Sequence, residues 1–341
     1  MKKTPKKANM LHYLYASGRI RAMENSLLNA ERRTRMIEAQ SAADAYRVAG
    51  ECGYDLSGID TARTGVEGMY LFARLMHRAR AELYDFAEKI SESRALTDFF
   101  RVKTDCHNIK AILKSQCIGA DAAPLLLEGG IYSAAELTER LGSGKAGALA
   151  GVFGVAADEA REILSRTSDG QLADFVVDRA MLDEQAHFAD ESEVEFLQKY
   201  ARLVAESANL RSTIRLLRMQ NGIQLLETAL SDKGLVEKDR LISAARENRL
   251  AELYQDTAFA EAAALGVALN GEKKPLTEFE RACATAENRL FEPVRYVAAG
   301  PEILIAYIVN KEEEFKILRT IMAGKLTNQS PADIAAALGS V

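Results

Sequence analysis

Apolar residues recur at alternating spacings of three and four along three long stretches of this chain. In 99–119 (FFRVKTDCHNIKAILKSQCIG), Phe99, Val102, Cys106, Ile109 and Leu113 are spaced 3, 4, 3, 4. In 200–222 (YARLVAESANLRSTIRLLRMQNG), Leu203, Ser207, Leu210, Ile214 and Leu217 are spaced 4, 3, 4, 3. Around 305–324, Leu304, Ile308, Lys311, Phe315, Leu318 and Met322 keep the rhythm. This spacing predicts long helices that bury a bundle seam. Each stretch also carries a hydrophobic–basic step (Ile109-Lys110, Leu210-Arg211, Phe315-Lys316) and stops at a glycine. Polar pairs recur at i, i+3 beside the seam: Asp105 and Asn108, Glu206 and Asn209, Lys311 and Glu314. Two readings of these pairs are open, a buried network that fixes how bundles dock or a contact surface for a partner.

Shorter helices alternate with the long ones. Residues 11–30 predict a helix with a stripe of Leu11, Leu14, Ile20, Met23 and Leu27, and Ile20-Arg21-Ala22 makes it a further partial copy of Ile109-Lys110-Ala111. Residues 36–54 follow, with Ser41 as N-cap and Asp44 in the first turn, and 241–259 has the same length and a similar apolar frame. Ser133 and Glu136 have capping-box spacing in 131–141, and Ser330-Pro331 with Asp333 opens a last helix. Further long helices are expected over 67–93, 172–188 and 276–291, each preceding one of the first set and pairing with it as an antiparallel hairpin. In 67–93 the expected stripe is Tyr70, Leu71, Leu75, Ala79, Leu83 and Phe86. Self-similarity at a period of about 100 residues predicts an all-α chain of three pseudo-repeated helical bundle domains, 1–130, 131–235 and 236–341, with pseudo-threefold symmetry and a central concavity.

Composition agrees with this class. Six prolines, no tryptophan, 48% apolar and 27% charged residues describe a soluble, mainly helical chain. The formal net charge of −5 provides no basic field for nucleic acid. No apolar run reaches the roughly 18–20 residues of a membrane span, and there is no signal peptide, so a cytoplasmic protein is expected. Lys2, Lys3, Lys6 and Lys7 read as a solvated tail, or as a weak contact with anionic lipid worth about 1 kcal/mol per lysine.

Three places in the sequence could suggest catalytic chemistry, and each lacks a required part. The segment Gly142-Ser-Gly-Lys145 lacks the first glycine, the final Ser/Thr and the preceding strand of a phosphate loop. Cys106 and Cys117 lie about 16 Å apart along one helix, too far for a shared metal or a disulfide. Glu184-Gln-Ala-His187 resembles half of a di-iron motif, but no second Glu-x-x-His occurs in the sequence. The expectation is therefore no catalytic site, no metal and no cofactor.

Several segments together resemble the C subunit of V-type/A-type rotary ATPases, equivalent to the d subunit of the eukaryotic enzyme. They are Tyr15-Ala-Ser-Gly-Arg19-Ile-Arg21-Ala-Met-Glu24 with Leu27-Leu28, then Lys103, Asp105, Asn108, Ile109 and Lys110. Asn209-Leu-Arg211 with Arg215, and Glu314-Phe-Lys316-Ile-Leu-Arg319 with Gly324-Lys325, continue the pattern. The segment 142–154 and the lysine-rich tail match poorly. The resemblance implies a funnel-like, three-domain helical adaptor without catalytic activity. It would join rotor shaft subunits of D and F type to the membrane proteolipid ring, on the cytoplasmic face, during ATP-linked proton or sodium transport. Candidate docking residues are Arg19, Arg21, Asp105, Asn108, Lys110, Asn209, Arg211, Glu314 and Arg319, each with an inter-bundle structural role as the competing reading. The alternative function is a helical scaffold unrelated to ATPases.

Overall fold

A computed structural model describes residues 10–143, 147, 149, 151–167, 169–219 and 222–339. The lysines at 2–7 and part of the 142–145 segment lie outside the described residues. The described residues contain helices and no strand. In chain order these are α1 (Met10–Glu24), α2 (Ala30–Glu38), α3 (Ala42–Glu51), α4 (Gly65–Ile90), α5 (Arg94–Ile118), α6 (Ala134–Gly142), α7 (Gly151–Thr167) and α8 (Gly170–Glu191). There follow α9 (Glu195–Leu216), α10 (Gly222–Ala229), α11 (Lys238–Arg246), α12 (Leu250–Tyr254), α13 (Ala260–Gly271), α14 (Thr277–Asn288), α15 (Pro301–Leu326) and α16 (Pro331–Leu338). The chain forms two compact units, Ser93–Glu292 and the described residues of Lys7–Glu92 with Pro293–Val341.

Local chemistry sets many of the boundaries. Ser41, Ser133 and Ser330 cap α3, α6 and α16 as their spacing predicts, each hydroxyl accepting from the backbone N–H three residues on. Gly119 ends α5 in the left-handed conformation at φ 67°, which costs a residue without Cβ nothing. Where one helix was expected over 36–54, there are two, because Ser41 starts a new one. Residues 241–259 are divided likewise, with Asn248 at φ 57° ending the first helix. The helix α1 stops at Glu24 rather than near residue 30, since Asn29 caps α2 through the N–H of Arg32.

In the unit Ser93–Glu292, α8 packs against both α5 and α7 and continues the layer to α9, which packs on α14. The predicted seam of α5 is buried throughout: Phe99, Val102, Cys106, Ile109 and Leu113. One apolar cluster joins it to Leu137, Phe153, Val176 and Ala180; a second gathers Leu210, Ile214, Leu241, Phe259 and Phe279. At about 1.5–3 kcal/mol per fully buried large side chain, these clusters hold the helices together. In the other unit α15 is central and packs against α1, α2, α3, α4 and α16.

The hairpin expectation holds for α8 and α9, which pack on each other, and is corrected for the other two pairs. The partner of α5 is α8, which follows it, and the partner of α15 is α4, from the opposite end of the chain. Two stripes depart in part from their predicted faces, since Leu75 and Leu83 of α4 and Ile20 of α1 are buried as expected and other positions are not. On α4 the buried residues are Phe72, Leu75, Met76, Leu83, Tyr84 and Ala87, and Tyr70 is exposed. On α1 Leu14 is exposed, and Tyr13, Ala16 and Ile20 are buried. An apolar residue at helical spacing marks a face without saying whether α15 covers it.

Candidate functional site

The recurring polar pairs grip loops. On α5, Asp105 is fully buried and accepts from the backbone N–H of Ile131 (3.0 Å) and of Tyr132 (3.2 Å). One turn later Asn108 brackets Leu127, its amide donating to the Leu127 carbonyl and its carbonyl accepting from the Leu127 N–H, both at 2.8 Å. The two side chains thus hold both ends of the loop 127–132. Gly130 permits the approach, because a Cβ there would fall 2.2 Å from Asp105 Oδ1.

The same clasp returns on α9. Glu206 accepts from the N–H of Leu235 and of Val236, the latter at 2.8 Å. Asn209 brackets Ser231, donating to its carbonyl at 2.8 Å and accepting from its N–H at 2.9 Å. Gly234 occupies the place of Gly130, and a Cβ there would lie 2.6 Å from Glu206 Oε2. In both copies the carboxylate takes the amides four and five residues after the one bracketed by asparagine. The second copy adds a hydroxyl, as buried Tyr254 donates to Glu206.

A third clasp lies on α15, in the other unit. Glu314 is buried and accepts from the N–H of Leu28 at 2.6 Å, from the Tyr54 hydroxyl and from Lys311. The Lys311 ammonium also lies 2.9 Å from the Tyr54 oxygen and 4.3 Å from its ring centre. Glu314 therefore does the work of Asp105 and Glu206, which moves the expected alignment by three residues. The asparagine position becomes Ile317, and the hydrophobic–basic step becomes Leu318-Arg319 rather than Phe315-Lys316. The loop it holds comes from the start of the chain.

With that alignment, Lys110, Arg211 and Arg319 are one position in three copies. Lys110 pairs with Asp178 of α8 at 2.6 Å, and Arg211 pairs with Glu280 and Glu287 of α14 at 2.7 and 2.8 Å. Arg319 is exposed and has no ion pair among the described residues. Of the other candidates, Arg19 lies 4.8 Å over the Phe86 ring. Arg21 pairs with Glu24 at 2.9 Å and donates to the Val294 carbonyl at 2.7 Å. The structure thus places Asp105 and Asn108 together with Lys110 a half-turn on, places Asn209 beside Arg211, and gives Glu314, Arg19, Arg21 and Arg319 separate settings.

Glu206, Tyr54 and Tyr254 complete clasps and stand outside the nine candidates. Glu206 was legible as the partner of Asn209. The tyrosines were not, because the chain from clasped loop to tyrosine is longer in one copy than in the other, running from Leu28 to Tyr54 and from Leu235 to Tyr254.

Asp105 lacks the hydroxyl that the other two clasps have. Burial pushes its carboxyl up to about 7; the amides of Ile131 and Tyr132 pull back, Asp98 adds to the rise and Arg101 opposes it. A folded value above the ordinary 3.8 means that the native state holds more protons than the unfolded chain across that window. Its contribution is fully present below about pH 4 and is lost as pH rises through about 7. The stability advantage of wild type over Asp105→Asn, measured by urea unfolding, should shrink by about 1 kcal/mol per pH unit across that interval. An advantage constant from pH 5 to 8 would refute this assignment.

A family model described as ATP synthase (C/AC39) subunit matches residues 16–337. The chain is also similar to the C subunit of the V-type sodium ATPase of Enterococcus hirae, at 22% identity over 257 residues, 74% of this chain and 77% of that protein.

Proposed function

The chain belongs to the family of ATP synthase (C/AC39) subunits, and from that premise we propose that it is the non-catalytic central-stalk subunit of a V/A-type rotary ATPase. In this reading it couples the soluble rotor shaft, of D- and F-type subunits, to the membrane proteolipid ring during ATP-linked proton or sodium transport. It works on the cytoplasmic face, as a peripheral component. The observation that carries the reading is the family match along nearly the whole chain.

The physical features support it. A coupling subunit transmits torque, so it needs stiffness. Long helices packed on each other, with loops locked to them by buried carboxylates, resist bending more than loops held by water would. Among the described residues no helix is long and apolar enough to cross a membrane, which suits attachment through other subunits. Docking over wide faces rather than in a pocket is the expected mode. The three-unit division near residues 130 and 235 stays part of this proposal, and the recurring clasps support it. The clasp at Glu314 adds that the third unit is completed by residues from the start of the chain. The scaffold alternative, unrelated to ATPases, has no observation in its favour.

Affinity purification of the tagged protein from its native cell tests the reading. Co-purification of the catalytic, shaft and ring subunits of the rotary ATPase is expected. A preparation free of all of them, from cells that express the ATPase, would overturn it.

A further inference from the structure

The three equivalent basic residues differ in one respect. Where α8 offers Asp178 to Lys110 and α14 offers Glu280 and Glu287 to Arg211, α4 presents Arg80 towards Arg319. The nearby acid, Glu312, is already engaged, receiving two bonds from Arg80 at 3.0 and 3.1 Å and one from the Tyr84 hydroxyl at 2.9 Å. Loss of water on one side and the Arg80 charge hold the Arg319 guanidinium below its ordinary range, with Glu312 opposing. His77 of α4 is pressed the same way, by burial and by the charges of Arg80 and Arg319. The middle of α4 therefore adjoins a positive charge that its own fold does not neutralise.

An apolar stripe leads to it. Val66, Tyr70, Ala73 and His77 recur at i, i+4, i+7 and i+11, and so share one face of α4. Val66 is 89% and Tyr70 65% exposed, Ala73 is exposed and Met69 flanks the row at 38%. Isolated exposed apolar residues are ordinary. Four along one helix face, ending at an unneutralised arginine, form a surface with both shape and charge.

We infer that the α4 face from Val66 to His77, with Arg319 at its end, is a docking surface for an acidic amphipathic helix of another subunit. The partner's apolar face covers Val66 and Tyr70, and its carboxylate supplies to Arg319 what Asp178 and Glu280 supply to Lys110 and Arg211. A fork-shaped guanidinium suits that role, because it binds a carboxylate through two parallel hydrogen bonds. The inference rests on the central-stalk reading only in taking the partner from the rotary ATPase.

The test measures binding of the full-length protein to two probes, the purified shaft pair and the detergent-solubilised proteolipid ring, by biolayer interferometry at low and physiological salt. Arg319→Glu should weaken one of the two at least tenfold, and Tyr70→Asp should weaken the same one. Arg319→Lys, which keeps the charge but loses the second hydrogen bond, should weaken that same probe less than Arg319→Glu does, and Arg240→Glu, an exposed change elsewhere, should alter neither. Circular dichroism and melting temperature confirm that each variant is folded. Folded Arg319→Glu and Tyr70→Asp that bind both probes like wild type would overturn the inference and leave the central-stalk reading intact. Wild type that binds neither probe would overturn both.

Discussion

Glu314→Ala should destabilise the unit built from the two chain ends by about 3–5 kcal/mol, the cost of removing one partner of a buried ion pair. The substitution strands three groups at once: the Leu28 N–H, the Tyr54 hydroxyl and the Lys311 ammonium. The Leu28 N–H and the Tyr54 hydroxyl lose their acceptor, and the Lys311 ammonium, the charged group, keeps only the Tyr54 oxygen and so bears the largest desolvation cost. Neutralising both ends tests the cause. Glu314→Leu combined with Lys311→Met leaves no buried charge, so it should be more stable than Glu314→Ala even though it removes more polar groups. Thermal melting and hydrogen exchange at the Leu28 amide would measure this. A double variant no more stable than the single one would show that the loss comes from the cavity alone.

Gly130→Ala should cost about 2–4 kcal/mol, a large effect for one methyl group. Gly130 has no unusual φ to protect. The constraint is contact, since its Cβ would lie 2.2 Å from Asp105 Oδ1 and 3.0 Å from the Tyr132 carbonyl. Either the loop backs away or the carboxylate turns, and in both cases Asp105 loses its amide bonds, at about 0.5–1.5 kcal/mol each for the protonated carboxyl and about 1.5–3 kcal/mol each for the charged one. Gly142→Ala is the control, because nothing lies within 4 Å of a Cβ there. The two variants compared by urea unfolding should differ by most of the predicted loss. Equal stability would mean that the first clasp is slack.

The sequence rhythm predicted the long helices because burial against neighbours repeats every three or four residues, and no other element buries that pattern. The serine caps at 41, 133 and 330 were legible for a similar reason, as each acts within one turn of itself. Pairing was not. α15 packs on α4 across more than two hundred residues of intervening chain, and a period of about 100 residues does not reveal that the third repeat closes on the N-terminus. The acid–asparagine patches were visible as an anomaly beside the seam, but their partners are backbone amides of loops, which any sequence supplies. For that reason Asp105 and Asn108 could be named and their work could not. Spacing alone sets the third copy three residues out of place, since Lys311 and Glu314 repeat the i, i+3 spacing while only Glu314 repeats the contact. That shift is what put Phe315-Lys316 in the place of Leu318-Arg319.

The clasps also bear on how the nine candidate residues divide. Asp105, Asn108, Asn209 and Glu314 are buried, and their hydrogen-bonding groups are turned inward to loops or side chains of their own unit. In the proposed role they would stiffen the body. Arg319, at the same position as two paired residues, stays exposed without an acid of its own. A role in stiffness for the first group and in docking for the second is what a torque-bearing coupler would require.

Mixing the purified protein with the purified shaft pair and the detergent-solubilised proteolipid ring tests the central claim most directly. A ternary complex that forms only when this chain is present, seen as one species in size-exclusion chromatography, is the predicted result. Shaft and ring that elute apart whether or not the folded protein is added would contradict it.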